Sequence, residues 1–438
     1  MPLLRRMPHR VHPVKLGLCS RVLQVIREFL FSRWPLREQP QASTGDTRGT
    51  GDIVQPVEAD ATPFPQGHGP LSEAGVTVAA VSDLHLGAPG SYFVIPGLQD
   101  RLWEGIRQAI GGKKLDLLIL NGDVLDLAVS RHHSAYRAGR QFFNELAKTS
   151  ILDVSRVLYI VGNHDHHLWT VIEEARMCRH FPEIPGERDG LSSYAQHGSA
   201  PESGSFCYAG DSPFAGIFPE RLHDRLVFAY PFHAYTENSA PATPLRWFFH
   251  HGHYFDPYIT PLKRDVARMG DLRGLEVANA AYLEALFYYL SWDTEQLEKG
   301  LYIVDLLPKY ASYASFALRA LGLDRSKSQA GVSDWKVGGH DGSEIERVLR
   351  NTPWRNKGAG VRERRVFVFG HSHIAGKKIR PEGEYYDLGG WVLESRPNTP
   401  IAEQRWARPA FFYRRGSTWG LTEFGLTEAD RKHLMEVQ

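Results

Sequence analysis

RVFVFGHSHIAGKK, residues 365–378, is an apolar run of alternating Val and Phe that ends abruptly in two histidines, His371 and His373. Gly370 precedes the pair and Ser372 separates its members. Taken alone, this ending permits two interpretations, because neutral imidazole is the commonest metal-binding side chain but histidine is also an ordinary polar residue. The choice depends on whether other predicted strands end in the same kind of chemistry.

Four further apolar runs end in the same way, in carboxylate, amide or imidazole groups. Helical segments lie between some of them, for example DRLWEGIRQAIGG (100–112) and AGRQFFNELAK (138–148). Short continuous apolar runs separated by helices are typical of strands buried on both faces of an α/β sheet. Sites in such sheets lie beyond the carboxyl ends of the strands, so we expect the polar groups to meet there. The four runs are VTVAAVSDLHLG (76–87), LDLLILNGDVLDL (115–127), RVLYIVGNHDHH (156–167) and PLRWFFHHGHYFD (244–256).

The polar groups at these strand ends form a mixed nitrogen and oxygen set that suits metal ions. Asp83 and His85, two positions apart, can converge on one ion, and the Asp123 carboxylate can bridge two. The set contains no thiolate, so we expect two divalent ions, with Mn as the first choice and Fe or Zn as alternatives. Two cations about 3.5–4 Å apart can clamp the attacking and leaving oxygens of a phosphoryl group, which predicts phosphoester hydrolysis. The predicted ligands are Asp83, His85, Asp123, Asn163, His251, His371 and His373.

The ordered motifs DLH, GD, GNHD, HGH and GHSH, between Val81 and His373, resemble those of the calcineurin-like metallophosphoesterases. The resemblance implies an α/β fold, a two-sheet βαββα sandwich, and a dinuclear centre that acts through a bridging hydroxide. The long segment between the HGH and GHSH motifs adds a helical insertion to this expected fold. The resemblance also implies that His251, which directly precedes the glycine of HGH, is the ligand rather than His250 or His253. By the same analogy, one ion is held by Asp83, His85, Asp123 and His373, and the other by Asp123, Asn163, His251 and His371.

Two residues beside the predicted ligands resemble the catalytic groups of this family. The resemblance implies that His164 protonates the leaving oxygen or stabilises charge on the phosphoryl group. Asp126 occupies a position where the family often has an acid that pairs with that histidine, and such a carboxylate would raise the imidazole pKa and fix its orientation. The alternative is that Asp126 caps a turn or a helix. The histidines that flank the motifs, including His166 and His167, are more often supporting or surface groups.

The chain divides by composition into a basic start, a linker and a large domain. Residues 1–36 form a basic amphipathic segment, and the first forty residues carry eight basic and two acidic side chains, a net charge of +6. This segment can lie on an anionic membrane surface or pack on the body of the protein. Residues 37–75 have the composition of a flexible linker. Residues 76–438 are the predicted metallophosphoesterase domain, with a helical insertion at 257–360.

The insertion begins shortly after one predicted ligand, His251, and ends shortly before another, His371. A segment anchored in this way is expected to lie beside or over the site, where its aromatic residues could select the rest of a substrate. The alternative is that its apolar stripes are simply core. Ser343 and Glu346 have the spacing of a capping box and predict the start of a helix there.

Composition limits where the protein works. No secretory signal or membrane-spanning run is evident in the sequence, and three widely spaced cysteines form neither a disulfide framework nor a CxxC site. We therefore expect a soluble, cytoplasmic protein, with peripheral contact to the inner face of a membrane through residues 1–36 as a further expectation.

The substrate is less sharply defined than the reaction. The motif sequences are similar to those of the branch that contains UDP-2,3-diacylglucosamine diphosphatase, in VSDLHLG, LNGDVLDL and VGNHD. This chain is longer, however, and has HGH where that branch usually has HGD. We expect a small or lipid-linked phosphate or diphosphate. One alternative is a nuclease or cyclic-nucleotide phosphodiesterase, although the net charge of +1 makes nucleic acid an unexpected partner. The other is a non-catalytic metal-binding scaffold, for which eroded ligands would be expected, whereas all of them are present here.

Overall fold

The computed structural model describes residues 76–128, 130–150, 153–180, 205–237, 245–256, 280, 283–284, 336–350, 364–381, 383–393 and 405–437. The predicted N-terminal segment 1–36, the linker 37–75 and most of the insertion 257–360 lie outside these ranges, so those boundaries stay predictions. Within these ranges, no helix combines the length and the apolar character that crossing a lipid bilayer requires.

The described residues alternate strand and helix through the first part of the chain and then add strands in antiparallel pairs. The helices are α1 (Leu98–Ala109), α2 (His132–Lys148), α3 (His166–His180), α4 (Gly342–Arg350) and α5 (Glu428–Val437). The strands are β1 (Thr77–Val81), β2 (Leu117–Asn121), β3 (Arg156–Ile160), β4 (Ser205–Tyr208), β5 (Leu226–Tyr230), β6 (Phe232–Glu237), β7 (Leu245–His250), β8 (Lys336–Val337), β9 (His340–Asp341), β10 (Arg364–Phe369), β11 (Gly376–Arg380), β12 (Gly383–Asp387), β13 (Ala410–Arg415) and β14 (Thr418–Glu423).

The first sheet has seven strands in the order β14-β13-β1-β2-β3-β5-β4. Its central strands β1, β2, β3 and β5 are parallel, and β1 and β2 are buried along their whole length. Such strands need apolar residues on both faces, which explains their unbroken apolar sequences. Because Val81 lies opposite Leu120, and Asn121 opposite Ile160, these neighbouring strands end at the same edge of the sheet.

The second sheet has five strands in the order β11-β12-β10-β7-β6. Strand β10 is central and parallel to β7 and β12, and Val368 lies opposite both Phe249 and Tyr386. The GHSH motif that follows β10 is therefore brought beside the HGH motif that follows β7. A separate two-stranded hairpin, β8-β9, comes from the insertion.

Three apolar clusters hold four layers together, in the order helix, sheet, sheet, helix. The outer face of the first sheet packs on helices α1 and α2, through residues that include Leu102, Trp103, Phe142, Phe143 and Tyr159. The two sheets pack face to face through residues that include Val78, Ile119, Trp247, Phe249 and Val366. The outer face of the second sheet packs on α4 and the β8-β9 hairpin through Phe248, Val337, Ile345, Val348 and Phe367. This architecture confirms the predicted α/β fold with two packed sheets.

Local predictions were right about elements and less accurate about their ends. Helices are present where the two helical segments were predicted, although α2 begins at His132, ahead of the segment 138–148. The predicted cap at Ser343 is wrong by two positions. Helix α4 begins at Gly342, and Asp341 Oδ1 accepts the Ser343 backbone N–H at 2.8 Å and its hydroxyl at 2.6 Å. Asp341 therefore caps the helix, since its side chain satisfies an otherwise unpaired N–H of the first turn.

Candidate metal centre

The predicted ligands converge where strands of both sheets end. Three groups of side chains each place one ligand atom per residue within 4.8 Å of the others. All six of the predicted histidine and aspartate ligands are in these groups, together with His164. The groups are Asp83, His85 and His373; His85, Asp123 and His164; and Asp123, His251 and His371.

The first group is built by the ends of β1 and β10. His85 Nε2 lies 3.0 Å from His373 Nε2, and His373 Nε2 lies 3.3 Å from Asp83 Oδ1. His85 Nε2 is also 3.9 Å from Asp123 Oδ2, which belongs to the end of β2. The Asp123 carboxylate is therefore within reach of this group as well as its own.

The third group, with Asp123, His251 and His371, is built by the ends of β2, β7 and β10. His251 Nε2 lies 3.1 Å from Asp123 Oδ2 and 3.0 Å from Asn163 Oδ1, so the predicted amide ligand also joins the cluster. Burial lowers the pKa of His251, but Asp123 and Asp83 outweigh it and raise this pKa to about 9. The cluster is thus strongly negative in character, which attracts cations, and metal binding there would release a proton.

The two other histidines of the HHGH sequence, His250 and His253, have different surroundings from His251. His250 Nδ1 accepts the backbone N–H of Gly252 at 2.8 Å, and the His250 ring lies among aromatic neighbours such as Tyr254. His250 and His253 are buried and belong to none of the three ligand groups of the described residues. The structure therefore places His251, the histidine that the family resemblance favoured, beside Asp123 and His371.

The donor atoms have spacings that suit divalent ions. Neighbouring ligands about 2.1 Å from one ion are about 3 Å apart when they subtend a right angle. The pairs His85–His373, His251–Asn163 and His251–Asp123 have separations of 3.0, 3.0 and 3.1 Å. Asp83 Oδ1, moreover, is buried and has no well-formed hydrogen bond in the part of the chain that the structure describes. A buried carboxylate oxygen of this kind is stabilised by a cation. The residues present therefore fit a metal centre.

Backbone strain is concentrated on the same residues. A positive φ is uncommon for a residue other than glycine and marks strain that the surrounding structure must hold in place. Among the described residues, only one non-glycine outside the predicted ligands, Asp153, has it. The predicted ligands with positive φ are Asp83 at 56°, His85 at 46°, Asp123 at 51°, His371 at 73° and His373 at 57°.

Glycines beside the ligands allow this close packing. A Cβ at Gly370 would lie 2.1 Å from Ser82 Oγ and 2.2 Å from Asp83 Oδ2. Gly122 has a φ of +92°, and a Cβ there would lie 2.4 Å from the His251 ring. The glycines of GHSH and GD therefore precede ligands because any side chain would push the cluster apart.

Asp126 contacts two histidines, one more than the sequence predicted. Its Oδ1 lies 3.3 Å from His164 Nδ1, as expected, and its Oδ2 lies 3.1 Å from His85 Nδ1. When His85 Nδ1 donates this hydrogen bond, its Nε2 keeps a lone pair directed at the cluster. Burial lowers the pKa of His164, but Asp123 and Asp126 outweigh it and hold this pKa above its ordinary value. Asp126 Oδ1 also accepts the Ala128 N–H at 3.1 Å, so the turn-capping alternative holds too.

Asp165 is a residue whose role the sequence left open. Its carboxylate is buried and accepts hydrogen bonds from the Tyr159 hydroxyl at 2.7 Å, the Gly162 N–H at 2.6 Å and the Val124 N–H at 2.8 Å. Burial and the nearby Asp123 carboxylate raise the pKa of Asp165 to about 6. Asp165 therefore joins the GNHD turn to the turn after β2, which keeps Asn163 near Asp123.

Two further polar residues at the site were not singled out from the sequence. Asp256, the last residue of PLRWFFHHGHYFD, places its Oδ2 3.5 Å from His371 Nε2, and its side chain is 31% exposed. Ser372 donates its hydroxyl to Asp387 Oδ2 at 2.6 Å and accepts the Gly339 N–H from the β8-β9 hairpin at 3.0 Å. The hairpin therefore braces the GHSH loop, a contact that no local pattern in the sequence could reveal.

Comparison with known proteins agrees with this geometry. Residues 76–276 match the family model of the calcineurin-like phosphoesterases. Residues 76–276 therefore form a calcineurin-like phosphoesterase domain. The matched range contains the DLH, GD, GNHD and HGH motifs, and the GHSH motif lies beyond it. The chain is accordingly a phosphoester hydrolase of a family that generally uses divalent metals.

More distant likenesses add little to this assignment. No curated protein matches this chain. A predicted phosphoesterase from Streptococcus pneumoniae TIGR4 is 10% identical, with 80% of this chain and 90% of that chain covered and a TM-score of 0.21. The phosphopantetheinyl hydrolase of Mycobacterium tuberculosis is 15% identical, with 76% and 95% covered and a TM-score of 0.24. Vacuolar protein sorting 29 of Cryptosporidium parvum is 11% identical, with 81% and 100% covered and a TM-score of 0.25. Such low TM-scores carry no argument about substrate.

Proposed function

We propose that this calcineurin-like phosphoesterase hydrolyses a small or lipid-linked phosphate or diphosphate at a dinuclear metal centre. The observation that carries the proposal is the position of Asp123. Its Oδ2 lies 3.1 Å from His251 Nε2 and 3.9 Å from His85 Nε2, so one carboxylate stands between the two groups of histidines. A bridging carboxylate is the feature that distinguishes a two-ion site from two separate single-ion sites.

The ligands divide into two sets that share Asp123. Asp83 and His373 stand together at 3.3 Å, and His85 joins them, which supports one ion at the ends of β1 and β10. Asn163 and His251 stand together at 3.0 Å, which supports the other ion at the ends of β3 and β7. The proposed sets are Asp83, His85, Asp123 and His373 for the first ion, and Asp123, Asn163, His251 and His371 for the second.

The donor types support Mn as the resident metal, with Fe or Zn as alternatives. Imidazole, carboxylate and amide groups suit these ions, and none of the proposed ligands is a thiolate. When bound, two such ions would polarise the phosphoryl oxygens and activate a water molecule at neutral pH. The protein's own contribution is to hold the ligands in strained positions before the ions arrive, which lowers the cost of assembling the site.

His164 is the group that we propose as the proton donor to the leaving oxygen. Its side chain is 18% exposed, so a substrate can approach it from the open side of the cluster. The Asp126 carboxylate, 3.3 Å from His164 Nδ1, favours the protonated imidazole and fixes the orientation of its ring. Asp126 is a positioning residue in this proposal, because it acts on His164 and His85 and not on the substrate.

The substrate class and the location rest on the sequence. The wording of VSDLHLG, LNGDVLDL and VGNHD supports a phosphate or diphosphate on a small or lipid-linked carrier. A lipid-linked substrate would be consistent with peripheral membrane contact through the basic segment 1–36 and with a cytoplasmic location. Nucleic acid is not proposed as a substrate, since the net charge of the chain is only +1.

Turnover on a defined panel tests this function. The purified full chain, loaded with Mn²⁺, is expected to hydrolyse an aryl phosphate and at least one nucleoside diphosphate derivative, and a chelator should abolish the rate. Readdition of Mn²⁺ should restore the rate, because we expect the fold to hold the ligands in place when the metal is removed.

The panel also separates the alternatives. Preference for a bis-aryl phosphate or a cyclic nucleotide would favour a diesterase in place of the proposed function. Two bound equivalents of metal without turnover on any member of the panel would favour a non-catalytic scaffold. His133→Ala serves as the matched control, because this histidine is near the motifs but its Nε2 faces Arg137.

A further inference from the structure

One carboxylate of the insertion contacts the start of the helix that follows the GNHD motif. The Glu284 carboxylate accepts hydrogen bonds from His166 Nδ1, from His167 Nδ1 at 2.9 Å and from Thr170 Oγ1 at 2.6 Å. The three donors lie on the first turns of α3, more than a hundred residues earlier in the chain. Glu284 therefore joins two distant parts of the sequence through three hydrogen bonds.

This contact is largely shielded from water. The Glu284 side chain is 13% exposed and that of His166 is 3% exposed, and Leu283 beside it is fully buried. Burial raises the pKa of the Glu284 carboxyl, but the hydrogen bonds from His166 and His167 outweigh it and hold this pKa well below its ordinary value. A carboxylate near the beginning of a helix is also favoured by the helix dipole. The contact is thus an ionised, hydrogen-bonded anchor and not a loose surface pair.

The anchor adjoins the proposed catalytic turn. His166 and His167 follow Asn163, His164 and Asp165 directly in the chain. From the inner side, the same turn is held by Asp165, which accepts the Gly162 and Val124 N–H groups at 2.6 and 2.8 Å. The turn is therefore fixed from two sides, by Asp165 within the domain and by Glu284 from the insertion.

We propose that Glu284 is a positioning residue through which the insertion sets the geometry of the Asn163–His164 turn. The inference rests on the proposed function, since it assigns Asn163 to an ion and His164 to the leaving oxygen. In this proposal the role of His166 and His167 is to connect Glu284 to the turn, and not to bind substrate. This role also means that the insertion contributes to catalysis as well as to any selection of substrate.

Glu284→Ala tests the inference, with Glu284→Gln as a variant of the same length that keeps one acceptor oxygen. Residues that orient metal ligands typically change metal affinity or activity by about 10–100-fold. We expect Glu284→Ala to lower the affinity for Mn²⁺, measured by chelator competition, by about 10-fold. We expect it to lower kcat by about 10-fold as well, with KM little changed. Glu284→Gln should retain part of both. Asp430→Asn, which breaks the buried end of the Arg101–Asp430 ion pair on α1 and α5, is the matched control and should change stability alone.

A double-mutant cycle separates positioning from a merely structural role. If Glu284 acts through the turn, Glu284→Ala should cost much less in kcat when His164 is already alanine, because coupled residues are not additive. Additive losses in kcat, or unchanged Mn²⁺ affinity in both Glu284 variants beside a wild type that binds Mn²⁺ and turns over, would overturn this inference alone. A wild type that neither binds Mn²⁺ nor turns over would instead overturn the proposed function.

Discussion

Asp123→Ala is expected to abolish phosphoester hydrolysis and to release both ions. In the proposed centre the Asp123 carboxylate is the ligand that both ions share, and its Oδ1 also accepts the His164 backbone N–H at 2.8 Å. Its removal would take one ligand from each ion and leave His251 without its nearest carboxylate. Because residues that merely orient ligands cost about 10–100-fold, we expect the loss of a shared ligand to exceed about 100-fold. Elemental analysis of the purified variant, beside its kcat/KM, measures both effects.

The control for this variant needs care. Ser372→Ala is unsuitable, because the Ser372 hydroxyl braces the GHSH loop through Asp387 and Gly339. Asp430→Asn removes a buried carboxylate that pairs with Arg101 away from the cluster, so it should keep its metal and its rate. Near-stoichiometric retention of two ions by Asp123→Ala would contradict the bridging assignment.

His164→Ala is expected to lower kcat by about 10²–10⁴-fold while the metal content is unchanged. The reason is that His164 is placed to move a proton but is not one of the proposed ligands. A substrate with a very good leaving group needs little protonation, so it should be spared much of this loss. Steady-state rates on a series of aryl phosphates of rising leaving-group pKa provide the measurement.

The same series distinguishes His164 from its neighbour Asp126. Asp126→Asn should reduce the rate on every leaving group and also weaken metal binding, since Asp126 contacts His85 as well as His164. Equal losses on good and poor leaving groups for His164→Ala would show that this histidine has another role, for instance as a ligand.

The convergence of the predicted ligands could be expected from the sequence because each of these strands is followed by a polar, ligand-type residue. In β1, β2, β3, β7 and β10 an apolar run is followed at once by a carboxylate, amide or imidazole group. Parallel neighbours such as β1 and β2 end at one edge, so the chemistry is gathered by topology alone. The position of His251 could also be predicted, since the family resemblance singles out the residue before the glycine.

Features that depend on long-range contacts were not predictable from one sequence. The left-handed backbone of Asp83 and His371 is imposed by packing around the cluster, and nothing in the local sequence favours it at a non-glycine residue. The second hydrogen bond of Asp126, to His85, spans 41 residues. The role of Asp165 depends likewise on donors from two other segments, Val124 and Tyr159.

Elements beyond the last motif were missed for the same reason. After the last motif the chain forms β11 and β12 and then continues, so that β13 pairs antiparallel with β1. That pairing joins Thr77 to Arg415 across the whole domain, and periodicity within either segment cannot reveal it. That the insertion lies beside or over the site stays a prediction. Of its described parts, Glu284 contacts the first turns of α3 and the β8-β9 hairpin contacts Ser372.

The most direct test of the two-ion centre is electron paramagnetic resonance of the Mn²⁺-loaded wild type at two equivalents of metal. Ions that share the Asp123 carboxylate at about 3.5–4 Å should be spin-coupled, and the signal of isolated Mn²⁺ should fall as the second equivalent is added. In Asp123→Ala, any Mn²⁺ that remains bound should show only the isolated signal. A wild-type spectrum of isolated Mn²⁺ that grows in proportion to added metal up to two equivalents would contradict a shared carboxylate.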